Sequence, residues 1–209
     1  MTIIAVGIAI IPKLDQKLYE ENRKIFDKNR GFYFKDEQVP HITLMQSFVK
    51  QDMLDDICCQ LENLELNELF NITHFMTKSI ELVTGYSHLT FTSPHELKKA
   101  HIKVMDSIKN IGLDVEPSIE AFSSQVDEQE LRTVKEYAVN ASYENFHPHI
   151  TLGKGSTKTK SLNDIKIYPH YIALGKLGAH CTMSKEVIWK KTWPANPGEQ
   201  KKADRKETA

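Results

Sequence analysis

The sequence lacks most of the features that would tie its fold or function to something other than a buried core. It has only three cysteines in 209 residues, two of them adjacent at Cys58 and Cys59, so there is neither a disulfide framework nor the paired spacing of a zinc site. The longest apolar stretch, Ile3 to Ile11, is far short of the ~20 residues that span a bilayer, and no positive segment precedes it as a signal peptide requires. No glycine-rich phosphate loop of the Walker or Rossmann type occurs. These absences predict a soluble cytoplasmic protein with packing thiols, with no membrane association and no obligate protein partner.

What is present is close to average: 40% hydrophobic and 26% charged residues, enough to bury a core. The length fits one domain, expected over residues 1–193, with a polar and disordered tail over 194–209. The net charge of −1 hides an asymmetry. Residues 1–153 hold 15 basic and 23 acidic side chains, whereas 154–209 hold 12 basic and 5 acidic ones. A positive final quarter beginning at Lys154 suits an anionic partner.

The apolar, isoleucine-rich opening reads as a strand buried on both faces. Leu14, Leu18, Ile25 and Phe26 then mark a helix ending before Gly31. Val39 to Phe48 reads as a strand, and Asp52 as the cap of a helix carrying Met53, Ile57, Leu61 and Leu64. Asn71 to Thr92, interrupted at Thr84-Gly85, predicts a hairpin. Ser93-Pro94-His95-Glu96 is a capping box that opens a helix stopping at Gly112. Asp127 to Ala138 reads as a shorter helix, with 146–153 and 171–189 extended. The hairpin and the lack of a βα rhythm predict an α+β fold.

One pentapeptide occurs twice. Pro40-His41-Ile42-Thr43-Leu44 returns as Pro148-His149-Ile150-Thr151-Leu152, 108 residues later. On a strand, His and Thr at i and i+2 share one face while Ile and Leu share the other. Each copy thus offers an apolar anchor and a polar His/Thr edge. Two imidazoles on opposite sides of a phosphodiester can take a proton from water and give one to the departing oxygen. Threonine hydroxyls can donate to the non-bridging oxygens. Neither a metal nor a cofactor is needed.

Paired His-x-Thr motifs about a hundred residues apart resemble those of the 2H phosphoesterase superfamily. The second copy, running into Gly153-Lys154, is similar to its 2′-5′ RNA ligase/cyclic phosphodiesterase branch. The resemblance implies a two-lobed, pseudo-twofold α+β fold with antiparallel sheets lining a central cleft. It implies metal-independent hydrolysis of a 2′,3′-cyclic or 2′-5′ phosphodiester of a nucleotide or RNA end. His41 and His149 would be the acid/base pair, and Thr43 and Thr151 the phosphate ligands. Lys154 stands where that branch often has arginine, keeping the charge without the bidentate geometry, and is expected to bind substrate. Met45-Gln46-Ser47 stands where Phe-Leu-Gly often follows the first motif, and residues 116–145 read as an insertion.

Other residues compete for attention. His147 and His149 form an H-x-H pair that could ligate zinc, which supports a zinc-dependent hydrolase as an alternative. His180-Cys181-Thr182 is a third His-x-Thr without the flanking proline and leucine, expected to be ordinary strand. Among the aromatics before the motifs (Tyr33, Phe34, Tyr143 and Phe146), Phe146 is the one expected to stack on a nucleobase. A non-catalytic module that binds an RNA end or nucleotide is the remaining alternative.

Overall fold

The computed structural model describes residues 2–13, 16–29, 34, 39–92, 95–109, 111, 115–155, 160–161 and 165–194. The capping box at Ser93-Pro94, the stop at Gly112, Leu14, Gly31, Tyr33 and all of the tail after Pro194 lie outside them.

The opening strand β1 (Ile3–Pro12) is buried along nearly its whole length, as its unbroken apolar run requires of a strand covered on both faces. It is followed by helix α1 (Gln16–Asn29) and by β2 (Ile42–Lys50), which returns antiparallel to β1. A 3₁₀ turn, Gln51–Met53, leads into α2 (Leu54–Asn63). Asp52 sits inside that turn and the helix starts after Met53 without a side-chain cap, so the expected Asp52 cap is displaced by a tighter connection. After the short α3 (Asn67–Phe70) come β3 (Phe75–Val83) and β4 (Tyr86–Phe91), the expected hairpin, turning at Thr84-Gly85 with positive φ at both residues. Helix α4 (His95–Ile108) buries Leu97, Ala100, His101, Val104, Met105 and Ile108.

The expected helix after Asp127 is split. Asp127 and Glu130 form a reciprocal capping box on α5 (Glu128–Lys135), and α6 (Tyr137–Asn140) follows separately. Strand β5 (His149–Lys154), the two-residue β6 (Lys160–Ser161) and β7 (Lys166–Ile167), then β8 (Pro169–Leu177) and β9 (Met183–Thr192) are the remaining strands among the described residues. The expected 171–189 extension is therefore a hairpin, turned through a 3₁₀ segment at Ala179–Cys181.

The strands form two antiparallel sheets, ordered β2-β1-β8-β9 and β5-β4-β3-β6, with β7 also paired to β3. The two motif strands, β2 and β5, are each the edge strand of their sheet, and they lie beside one another. A larger core fills the space between sheets and helices, from Ile8 and Ile10 to Leu97, Val104, Ile150 and Leu152. A smaller one covers the other face of the first sheet, where Ala121, Phe122, Val126 and Val134 of the 116–145 segment meet Ala5, Ala9 and Phe48. Among the described residues no helix is long and apolar enough to cross a membrane.

The chain is thus two related halves. In one, β1 and β2 flank α1; in the other, β4 and β5 flank α4. The helices are exchanged, α1 lying on β5 and α4 on β2.

Candidate functional site

Both pentapeptides sit at the start of their strands, and both split as alternation demands. Ile42, Leu44, Ile150 and Leu152 are fully buried, whereas His41, Thr43, His149 and Thr151 are only partly so. The same irregularity then follows each copy. Thr43 faces Ala9 but Met45 faces Ile8, leaving Leu44 unpaired; Thr151 faces His88 but Gly153 faces Ser87, leaving Leu152 unpaired. Each is a β-bulge at the last residue of the repeat, and one extra residue shifts the facing side chains by one. The side chain that joins the His/Thr edge is therefore Gln46 in the first strand and Lys154 in the second. Strict alternation from the threonines would have chosen Met45 and Gly153.

The imidazoles are held identically. Nδ1 of His41 lies 2.7 Å from the Val39 carbonyl, and Nδ1 of His149 lies 2.7 Å from the His147 carbonyl. A carbonyl can only accept, so Nδ1 carries the hydrogen in both rings and Nε2 is the nitrogen that titrates. Burial lowers both pKa values. That of His41 falls to about 4, with burial the largest cause and His149 lowering it further, which puts the two rings within electrostatic reach. Without a ligand both are neutral at pH 7. Among the described residues neither Thr43 nor Thr151 gives its hydroxyl to another protein group, so both can turn to a bound anion.

Sequence reasoning missed a third histidine. His88 stands opposite Thr151 on β4 and stacks on His149 with ring centroids 3.8 Å apart and planes 9° from parallel. Its pKa is pushed down to about 3, by burial first and then by His149, so it stacks as a neutral ring. The signal was available: Tyr86, His88 and Thr90 alternate with buried Ser87, Leu89 and Phe91, the pattern of a strand with one polar face. Beside them, Glu81 faces His88 across β3 and accepts from Ser79 at 2.6 Å and Thr90 at 3.3 Å.

Lys154 is exposed and sits opposite Tyr86, its Nζ 5.7 Å from the ring centroid. Phe146 is only 7% exposed and stacks on His101, with centroids 4.1 Å apart. It is a core residue, and the expectation that it meets a nucleobase is corrected: the chain turns it inward before the motif begins. Phe34 is buried as well, and Tyr143 packs partly against the same core. His147 is exposed, and among the described residues no three His, Cys, Asp or Glu side chains converge to hold a metal, so the H-x-H pair has no third ligand there. His180 is not in a strand. It occupies a left-handed turn with φ of 60° and pairs with Glu130 at 3.1 Å, near the Tyr86 hydroxyl at 3.5 Å.

No family model matches this sequence, and no curated protein matches it either. Solved structures do resemble its fold. E. coli LigT complexed with 3′-AMP is 11% identical, with a TM-score of 0.53 over 92% of this chain and 99% of that one. E. coli LigT complexed with ATP is 13% identical, with a TM-score of 0.50 over the same shares. The two-lobed α+β architecture that brings the repeated motifs together is therefore a fold shared with E. coli LigT.

Proposed function

We propose that the chain is a 2H phosphoesterase that hydrolyses a 2′,3′-cyclic or 2′-5′ phosphodiester of a nucleotide or RNA end without a metal. The observation that carries this reading is the pair of matched imidazoles, each with Nδ1 tied to a carbonyl at 2.7 Å and Nε2 left to exchange protons. The LigT structures with 3′-AMP and ATP support a nucleotide-sized substrate.

In this mechanism the substrate phosphate lies between His41 and His149, with Thr43 and Thr151 donating to its non-bridging oxygens. Its negative charge raises the pKa of the adjacent rings, so one of the two takes up a proton on binding. The neutral Nε2 removes a proton from water as the new P–O bond forms. The protonated Nε2 gives its proton to the ribose oxygen as the old P–O bond breaks. The net change is addition of water across one P–O bond, with the proton count of the pair restored after exchange with solvent. Lys154 binds the anion, and the neutral His88 ring keeps His149 oriented.

The test is turnover of a 2′,3′-cyclic nucleotide and a 2′-5′-linked dinucleotide in excess chelator, with the product identified as a 2′- or 3′-phosphate. Product formation unaffected by EDTA is expected. Saturable binding with no product would instead mark a binding module, and loss with EDTA reversed by zinc would mark a zinc hydrolase.

A further inference from the structure

A β-bulge leaves an unpaired residue, and the carbonyl of a buried one needs a partner from elsewhere. In this protein both bulge carbonyls find one in the helix exchanged from the other half. His101 of α4 places Nδ1 2.6 Å from the Leu44 carbonyl, and Asn22 of α1 donates its Nδ2 hydrogen to the Leu152 carbonyl at 2.8 Å. Each of these side chains is fully buried and has a second bond. The Tyr143 backbone N–H donates to His101 Nε2 at 2.8 Å, and the Phe34 N–H donates to Asn22 Oδ1 at 3.1 Å.

The two second partners are also equivalent. Phe34 lies in the segment leading from α1 to the first motif, and Tyr143 in the segment leading from α4 to the second. Each clamp therefore joins the strand of one motif to the approach of the other: Asn22 ties Leu152 to the path into His41, and His101 ties Leu44 to the path into His149. The site next to Asn22 is built for close approach. Gly153 has φ of 141°, and a Cβ there would stand 3.0 Å from Ile25 of α1, so a side chain would push the helix and its asparagine away. His101 is held by its stack on Phe146 and by the edges of Tyr137 and Tyr143.

We propose that Asn22 and His101 are paired positioning residues that fix the separation and orientation of the two half-sites. They touch no reacting atom. Their bonds fall on the residue next to each threonine, where a displacement of the strand is a displacement of the site. Misplacement of about 1 Å can cost on the order of 100-fold in rate. The catalytic part of this inference rests on the proposed hydrolysis; the clamp itself does not.

The experiment replaces each residue with leucine, which keeps the volume and removes both bonds, and replaces His101 with glutamine, whose amide can donate and accept. Asn22→Ala and His101→Ala stand in for a leucine variant that fails to fold. Each loss variant is expected to lower kcat roughly 10- to 100-fold with KM changed less than about threefold. Because either loss frees the same separation, the double variant should be little worse than the worse single, and His101→Gln should keep most of the activity. Unchanged kcat in a folded variant, or losses that multiply in the double, would overturn the proposal. A second readout needs no substrate. By nitrogen NMR, His149→Ala should raise the pKa of His41, and this rise should shrink when Asn22 or His101 is replaced by leucine. An undiminished rise refutes the clamp even if the protein proves to have no hydrolase activity.

Discussion

The two halves of the molecule carry the same chemistry on different floors. In the half built from β1 and β2, Thr43 stands beside Ala9 and His41 precedes the paired residues; in the half built from β4 and β5, Thr151 stands beside His88 and His149 beside Thr90. The repeat, the bulge and the Nδ1 tether are shared, but the first threonine faces a small apolar alanine whereas the second motif rests on a stacked imidazole and a hydroxyl. The position three residues after the threonine differs too. Gln46 is buried and donates to the Cys181 carbonyl at 2.8 Å, whereas Lys154 is exposed. The difference teaches that a pseudo-twofold pair of motifs can keep its histidine tethers symmetric while its walls are not; under the proposed hydrolysis, asymmetric walls would give the substrate a direction.

The hardest blow to the comparison is removal of either shared histidine. His41→Ala and His149→Ala should each cost on the order of 10²- to 10⁴-fold in kcat, and the double variant should be scarcely worse than the worse single, because acid and base serve one reaction. His180→Ala, changing a half-buried turn histidine paired with Glu130, should not approach that loss. Full activity in either cleft variant, with an unchanged melt, would reduce the repeat to a structural feature.

Acid should expose the next largest effect. The folded-state pKa values of His41, His88, His101 and His149 all lie below the ordinary 6.5. Below that value the unfolded chain binds protons that the folded one refuses, so stability is fully present above about pH 6.5 and falls as pH drops. Each such histidine contributes a slope of roughly 1 kcal/mol per pH unit while only its unfolded form is protonated, and denaturant melts at pH 7 and 5 measure it. The same shifts place the kcat/KM optimum on the acid side of pH 6.5, since kcat/KM reports the free pair. The kcat profile should lie at higher pH, because bound phosphate raises the pair.

His88 sharpens the comparison, since the first half has alanine in its place. His88→Ala is expected to lower kcat about tenfold by freeing the His149 ring, and His88→Phe, which can still stack, should recover most of it. Equal activity in all three proteins would show that the stack is idle.

The smallest effect is expected at the third pair. Lys154→Ala should raise KM a few-fold with kcat nearly unchanged, the pattern of lost uniform binding. Gln46→Ala should leave KM alone and cost about 1–3 kcal/mol of stability, because it strands a buried carbonyl. An unchanged KM for the lysine variant would mean that its side chain does not meet the substrate.

Much of the site was legible because it is written locally. The pentapeptide could be found by inspection, and period two alone assigned Ile42 and Ile150 to the core and the His/Thr pairs to the other face. The buried opening strand, the hairpin and α4 were legible for the same reason. Two further polar residues stood in plain view within apolar helix stripes, Asn22 between Leu18 and Ile25, and His101 between Leu97 and Val104. A buried polar group at such a position needs a partner, but the sequence does not say which. Phe146 was misread because an aromatic next to a motif has the same local pattern whether it faces the cleft or the core.

The sequence by itself determined the repeated motif, the faces of its side chains and the α+β class, because these follow from alternation and helical period over a few residues. Only the tertiary structure decided the bulges at Leu44 and Leu152, and with them that Gln46 and Lys154 rather than Met45 and Gly153 share the strand face of the threonines. It alone decided that His88 stacks on His149, and that Asn22 and His101 bond carbonyls in the opposite half. The partners of these contacts are 57 residues apart for His101 and Leu44, and 130 for Asn22 and Leu152. Strand register and helix packing bring them together, and neither is set by local backbone preference.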